Sequence, residues 1–125
     1  MAYYNIFTQV GEELVVDLMG AASADYIGWG TGASEAAKGS TDLSTAATEA
    51  RVSATRTEAA ADKIQWVGTI TADGIKTITN AGVFDAAGSG SPPSGGTPLI
   101  VIGNFAGIAL NSGDQIQFTF QLEIT

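Results

Sequence analysis

Gln115-Ile116-Gln117-Phe118-Thr119-Phe120-Gln121-Leu122-Glu123-Ile124-Thr125 closes the chain, alternating apolar and polar residues without a fault. A period of two puts Ile116, Phe118, Phe120, Leu122 and Ile124 on one face of a strand, with only polar side chains on the other. One apolar face and one wet face is the signature of an antiparallel sheet covered on a single side. Burying large side chains stabilises by roughly 1.5–3 kcal/mol each, so this strand is expected to anchor the core. Asn111-Ser112-Gly113-Asp114 supplies the turn that feeds it.

The same β signal continues upstream. Leu99-Ile100-Val101-Ile102 is a continuous apolar run, which predicts a strand buried on both faces. Before it, residues 88–96 are Gly, Ser and Pro only and read as a loop. Ile64, Trp66, Gly68 and Ile70 alternate along another strand that ends at Ala72-Asp73-Gly74. Ile75, Thr77 and Thr79 then alternate against Lys76 and Ile78, leading into Asn80-Ala81-Gly82-Val83-Phe84-Asp85. Residues 63–125 therefore form the main β core.

The N-terminal half is less regular. Residues 1–8 read as an arm and 9–20 as a short helix. Leu14, Val15, Leu18 and Met19 share a face, Glu12 and Glu13 suit the positive end of the helix dipole, and Gly20 is placed to cap it. The competing reading is a strand through Leu14-Val15-Val16, and the helical spacing is favoured over it. Tyr26-Ile27-Gly28-Trp29-Gly30-Thr31-Gly32 reads as a strand entering a glycine-rich turn, the glycines permitting positive φ or a close backbone approach. It is no phosphate loop, because no Lys-Ser/Thr follows. Residues 33–62 are Ala, Ser, Thr and Glu with few large apolar side chains, and predict an extended arm or long loop with a strand near 50–57. The whole is expected to be one domain, 1–125, mainly β: an antiparallel β-sandwich or jelly-roll-like fold with one short N-terminal helix.

Composition narrows the function. Five Lys plus Arg against thirteen Asp plus Glu give a formal charge of −8, which argues against nucleic-acid binding. The basic residues all lie within 38–76, so the last third presents only acids. Without Cys or His there is no thiolate, no imidazole base and no Cys/His zinc site. No apolar run is long enough for a bilayer, and the first residues lack a signal-peptide pattern, so a chain made in the cytoplasm with no membrane partner is expected. Three chemistries each have a bland alternative. A glycosidase-like carboxylate pair competes with acids that merely bond within turns. Asp73, Asp85 and Asp114 suggest a cation, yet no calcium-loop motif is present. Trp29 and Trp66 with Tyr3, Tyr4 and Tyr26 suggest a sugar-stacking platform, but a Trp in an apolar strand more often fills a core. No catalytic residue, metal or cofactor is expected.

In order and spacing, several motifs resemble a family of small virion proteins of tailed bacteriophages, the decoration (cement) or tail-fibre-associated proteins. The resemblance covers about residues 10–125. It rests on the short helix Glu12–Met19, on Tyr26 to Gly32, and on Leu43, Glu49 and Arg51 in an Ala/Thr-rich stretch. Thr77-Ile78-Thr79-Asn80-Ala81-Gly82-Val83-Phe84-Asp85, a Gly-rich loop and Gly113-Asp114 before the final strand complete it. Asn80 stands where the family often has an acid, and Leu99-Ile102 where it often has an Arg. The resemblance implies a non-enzymatic protein of the capsid exterior that docks on the major capsid protein and stabilises the shell. Such clamps form homo-oligomers, dimers or trimers. Tyr3, Tyr4, Ile6, Phe7, Leu43, Arg51 and Arg56 are the expected interface. A tail or tail-fibre component and a carbohydrate-binding β module are the alternatives.

Overall fold

Strand alternation is realised over residues 63–71 and 115–123. A computed structural model describes residues 5–21, 25–94 and 99–124. Its elements are α1 (Gln9–Ala21), β1 (Tyr26–Gly30), β2 (Val52–Ser53), β3 (Thr55–Ala60), β4 (Lys63–Thr71), β5 (Lys76–Phe84), β6 (Leu99–Leu110) and β7 (Gln115–Glu123). Two antiparallel sheets result, one ordered β2-β1-β5-β6 and the other β3-β4-β7. The protein is mainly β with one helix near the start, as the alternating patterns predict. The chain changes sheet between β2 and β3, where the Ala54 amide bonds the Asp25 carbonyl at 2.9 Å.

The inner faces meet in a sandwich-like core. Ile27, Trp29, Ile78, Ala81 and Val83 of one sheet bury against Ile64, Trp66 and Ile70 of the other. Phe118 meets the Trp29 ring edge-on at 6.1 Å, a favoured aromatic geometry. β4 is the central strand of one sheet, and β1 and β5 are the inner strands of the other.

β7 packs its apolar face against the core and keeps a wet face, as expected, while residues 99–102 are not buried on both faces; both strands end their sheets. β7 is bonded to β4 on one side only, so Ile116, Phe118, Phe120 and Leu122 are half-buried. Leu99, Ile100, Val101 and Ile102 are likewise half-buried, since β6 borders the other sheet. An apolar run reports side-chain character and does not report how many strands flank it.

The 33–62 stretch is a long loop laid over a surface, followed by strands close to the expected 50–57. Residues 31–51 fold back over the outer face of the four-stranded sheet, and 52–60 enter the sheets as β2 and β3. The Thr31 and Gly32 amides bond the Thr45 and Ser44 carbonyls, and the Ala47 amide bonds the Trp29 carbonyl. Leu43, buried, closes over Gly28 and Gly82. Asn80, also buried, accepts from the Ser44 amide at 3.1 Å and donates to its carbonyl at 3.0 Å. The glycines of β1 serve this close approach: a Cβ on Gly30 would lie 2.5 Å from the Ser44 oxygen, whereas positive φ occurs at Gly88, Gly90 and Gly113.

Candidate interaction surface

Helix α1 begins at a capping residue that the sequence reading missed. The Thr8 hydroxyl accepts from the Gly11 amide at 3.1 Å, and the Glu12 amide closes the first turn on the Thr8 carbonyl. Gly20 lies within the helix and does not cap it. The decisive departure is the orientation. Val16 is fully buried in the core and Met19 packs beside it, with the helix against β3 and β4. The four residues expected to share a buried face are thus divided. Val15 and Met19 are half-buried, whereas Leu14 and Leu18 are 57% and 61% exposed.

Spacings of four residues align Val10, Leu14 and Leu18, and at 100° per residue this line runs opposite Val16. Val10 is 74% exposed, and Phe7 and Ile6 extend the line beyond the cap at 50% and 85%. Scattered single apolar residues are ordinary on a surface, but these five share one line and remain exposed among the described residues.

Acids border this stripe. Asp17 and Glu58 of β3 lie within hydrogen-bonding reach of each other, and that hydrogen bond, with local desolvation and the charge of Asp17, raises the Glu58 pKa. Two carboxyls so close favour a shared proton or a neighbouring cation.

The remaining expected interface residues divide in a regular way. Tyr3 and Tyr4 lie outside the described residues. Ile6 and Phe7 stand on the exposed stripe. Leu43, Arg51 and Arg56 are engaged with partners inside the chain. The Arg51 guanidinium sits 3.6 Å from the Phe84 ring centroid, donates to the Ala86 carbonyl at 3.0 Å and lies 4.0 Å from Asp42. Arg56 pairs with the buried Asp25. Charges enclosed in this way hold loops to sheets.

A second polar cluster lies beside β5. Glu49 accepts from the Trp29 indole at 2.9 Å and from the Asp73 amide at 3.0 Å, and pairs with Lys76. Lys76 also reaches Asp73 at 2.8 Å, and the Thr48 hydroxyl donates to the same carboxylate. Burial works against the Glu49 anion, but the bonds from Lys76, Trp29 and the Asp73 amide outweigh it and hold the pKa below the usual carboxylate range. Lys76 loses some stability as a cation through burial, and its two carboxylate partners more than restore it. Asp73 is lowered chiefly by Lys76 and Thr48. Both acids are thus ionised and engaged at neutral pH, so neither offers the proton that a general acid needs.

The other weighed chemistries find their residues elsewhere. Trp29 and Trp66 are 2% and 1% exposed, so neither ring is presented for sugar stacking. Asp114 accepts from the Asn111 amide in its own turn. Among the described residues, no three His, Cys, Asp or Glu side chains converge to hold a metal, and no helix is long and apolar enough to cross a membrane.

The fold and this surface define a β-sandwich domain carrying an amphipathic helix whose apolar line faces outward. Compared with protein families, curated proteins and solved structures, the chain shows no match.

Proposed function

We propose that the protein is a non-enzymatic virion component, a decoration protein that docks on the outer surface of a phage major capsid protein and stabilises the shell. The observation that carries this reading is the exposed line of Val10, Leu14 and Leu18 on a helix whose opposite face is already committed to the core, extended before the helix by Ile6 and Phe7. A helix laid into an apolar groove is a recurrent docking mode, read through anchors at these spacings. The rim acids and the net charge of −8 favour a groove bordered by Lys and Arg. Many copies, each making a modest contact, suit a shell that must resist internal pressure. Leu43, Arg51 and Arg56 are engaged within the chain, which favours α1 as the docking element.

The test uses particles of the phage that encodes the chain. Symmetric occupancy predicts a molar ratio to the major capsid protein between roughly one-third and one. A ratio of a few per cent moves the protein to the tail, and absence from particles removes both virion roles. The double substitution Leu14→Glu and Leu18→Glu is expected to abolish particle binding while leaving the thermal midpoint nearly unchanged, because both side chains already face water. Binding that survives the double substitution overturns the stripe as the docking surface.

A further inference from the structure

We infer that β7 is the self-pairing edge of a two-fold dimer, in which two copies of this chain join their three-stranded sheets into one of six strands. The inference uses another element than the docking helix and does not depend on it.

Its first support is the hydrogen-bond parity of β7. Pairing with β4 runs residue against residue from Gln115↔Thr71 to Glu123↔Lys63 without a bulge. At its two ends, the Ile124 amide bonds the Asp62 carbonyl and the Ala72 amide bonds the Asp114 carbonyl. Even-numbered residues of β7 therefore direct their backbone groups toward β4. Gln115, Gln117, Thr119, Gln121 and Glu123 direct theirs to the opposite edge, where no described strand lies.

The second support is the sequence of that edge. Gln-Ile-Gln-Phe-Thr-Phe-Gln-Leu-Glu reads nearly the same in both directions about Thr119. An antiparallel copy with the two-fold axis at Thr119 sets Thr119 against Thr119, Gln117 against Gln121 and Gln115 against Glu123. All are odd-numbered, so each pair can exchange the backbone bonds that β7 leaves open. Between them Phe118 meets Phe120 and Ile116 meets Leu122, four side chains that one chain leaves half-buried. No like charges face each other. Self-complementarity of this kind is what an isologous interface requires, and an unrelated strand would have no use for it.

The third support is the contrast between the two edges of the sheet. Exposed edges are ordinarily protected by Lys, Pro or bulges. The β3 edge carries Arg56 and Glu58, has a register shift between Glu58 and Ala60, and has α1 packed beside it. β7 has no Lys, Pro, Gly or bulge over nine residues. In this sheet, one guarded edge and one open edge close at two copies.

The experiment is light scattering on the isolated chain, from micromolar to submillimolar concentration, where no shell is present. Twice the 12.7 kDa chain mass is expected. Thr119→Pro removes an outward amide that β4 does not use, and should give a folded monomer by circular dichroism. Thr119→Lys changes only a wet-face side chain and sets two cations at the axis, raising the dissociation constant roughly tenfold or more. Thr119→Cys should yield an oxidised dimer on denaturing gels, because paired Cα atoms about 5.5 Å apart suit a disulfide. Gln117→Cys should not, its two copies lying more than about 13 Å apart in this register. A wild-type monomer or trimer, a dimer insensitive to Thr119→Lys, or Gln117→Cys crosslinking as readily as Thr119→Cys overturns the inference. Each result leaves the helix-docking reading to its own test.

Discussion

Trp29 and Trp66 bury similar rings in facing sheets, yet their indole N–H groups fare differently. Trp29 donates to Glu49, whereas the Trp66 nitrogen, fully enclosed, has no acceptor among the described residues. A buried donor without a partner costs about 1–3 kcal/mol, so replacing it with an apolar edge recovers part of what the smaller ring loses. Trp66→Phe is therefore expected to be milder than Trp29→Phe, which leaves the Glu49 carboxylate short of a donor. A difference of about 1–2 kcal/mol in urea unfolding is the expected outcome. Equal losses would show that the two N–H groups have equivalent surroundings.

Individual elements carry more than one commitment. β1 supplies Ile27 and Trp29 to the core and, on its other face, glycines over which residues 31–51 are laid. Gly30→Ala would force its methyl against the Ser44 carbonyl, which is backbone and cannot rotate away. A loss of about 1–3 kcal/mol is expected from this overpacking. It should be accompanied by faster amide exchange at Thr31, Gly32 and Ala47, whose bonds hold the layer in place. Unchanged exchange there would separate the layer from β1. Helix α1 is likewise committed twice, with Val16 facing inward and Leu14 and Leu18 outward. Its helical period was readable from spacing, but spacing does not select the inward face when apolar residues occupy both sides.

Across the whole molecule, the cluster joining residues 48–49 to the β4–β5 turn couples stability to pH. Glu49 and Asp73 titrate lower in the folded chain, so their contribution is complete above the unfolded carboxylate values of about 4 and is lost as pH falls through the folded ones. Lys76 titrates higher, so its contribution is complete below about 10.4 and is lost as pH rises through its folded value. Glu58, raised beside Asp17, has the opposite sign to the other acids and partly offsets the acid loss. The melting temperature is expected to be level between these limits and to decline on both sides. Glu49→Gln should lower the plateau by about 2–3 kcal/mol and flatten the acid limb. An acid limb as steep as that of the parent protein would assign acid sensitivity to other carboxylates.

Period and punctuation in the sequence by themselves determined the β class, the helix over residues 9–20 to within a residue, the strand faces of β4 and β7, and both turns around Asp73 and Asp114. These are local properties, set by φ/ψ preference and by which side chains share a face. Only the tertiary structure decided that β6 and β7 are edges, that 31–51 cover a sheet, that Arg51 and Arg56 are enclosed, and that Leu14 and Leu18 face water. Each of these depends on which distant segment arrives alongside, through contacts such as Asn80 with Ser44, Arg51 with Phe84 and Val16 with the β3–β4 pair. A local pattern specifies that an apolar face exists, and the long-range packing of the remaining chain decides whether that face becomes core or stays open.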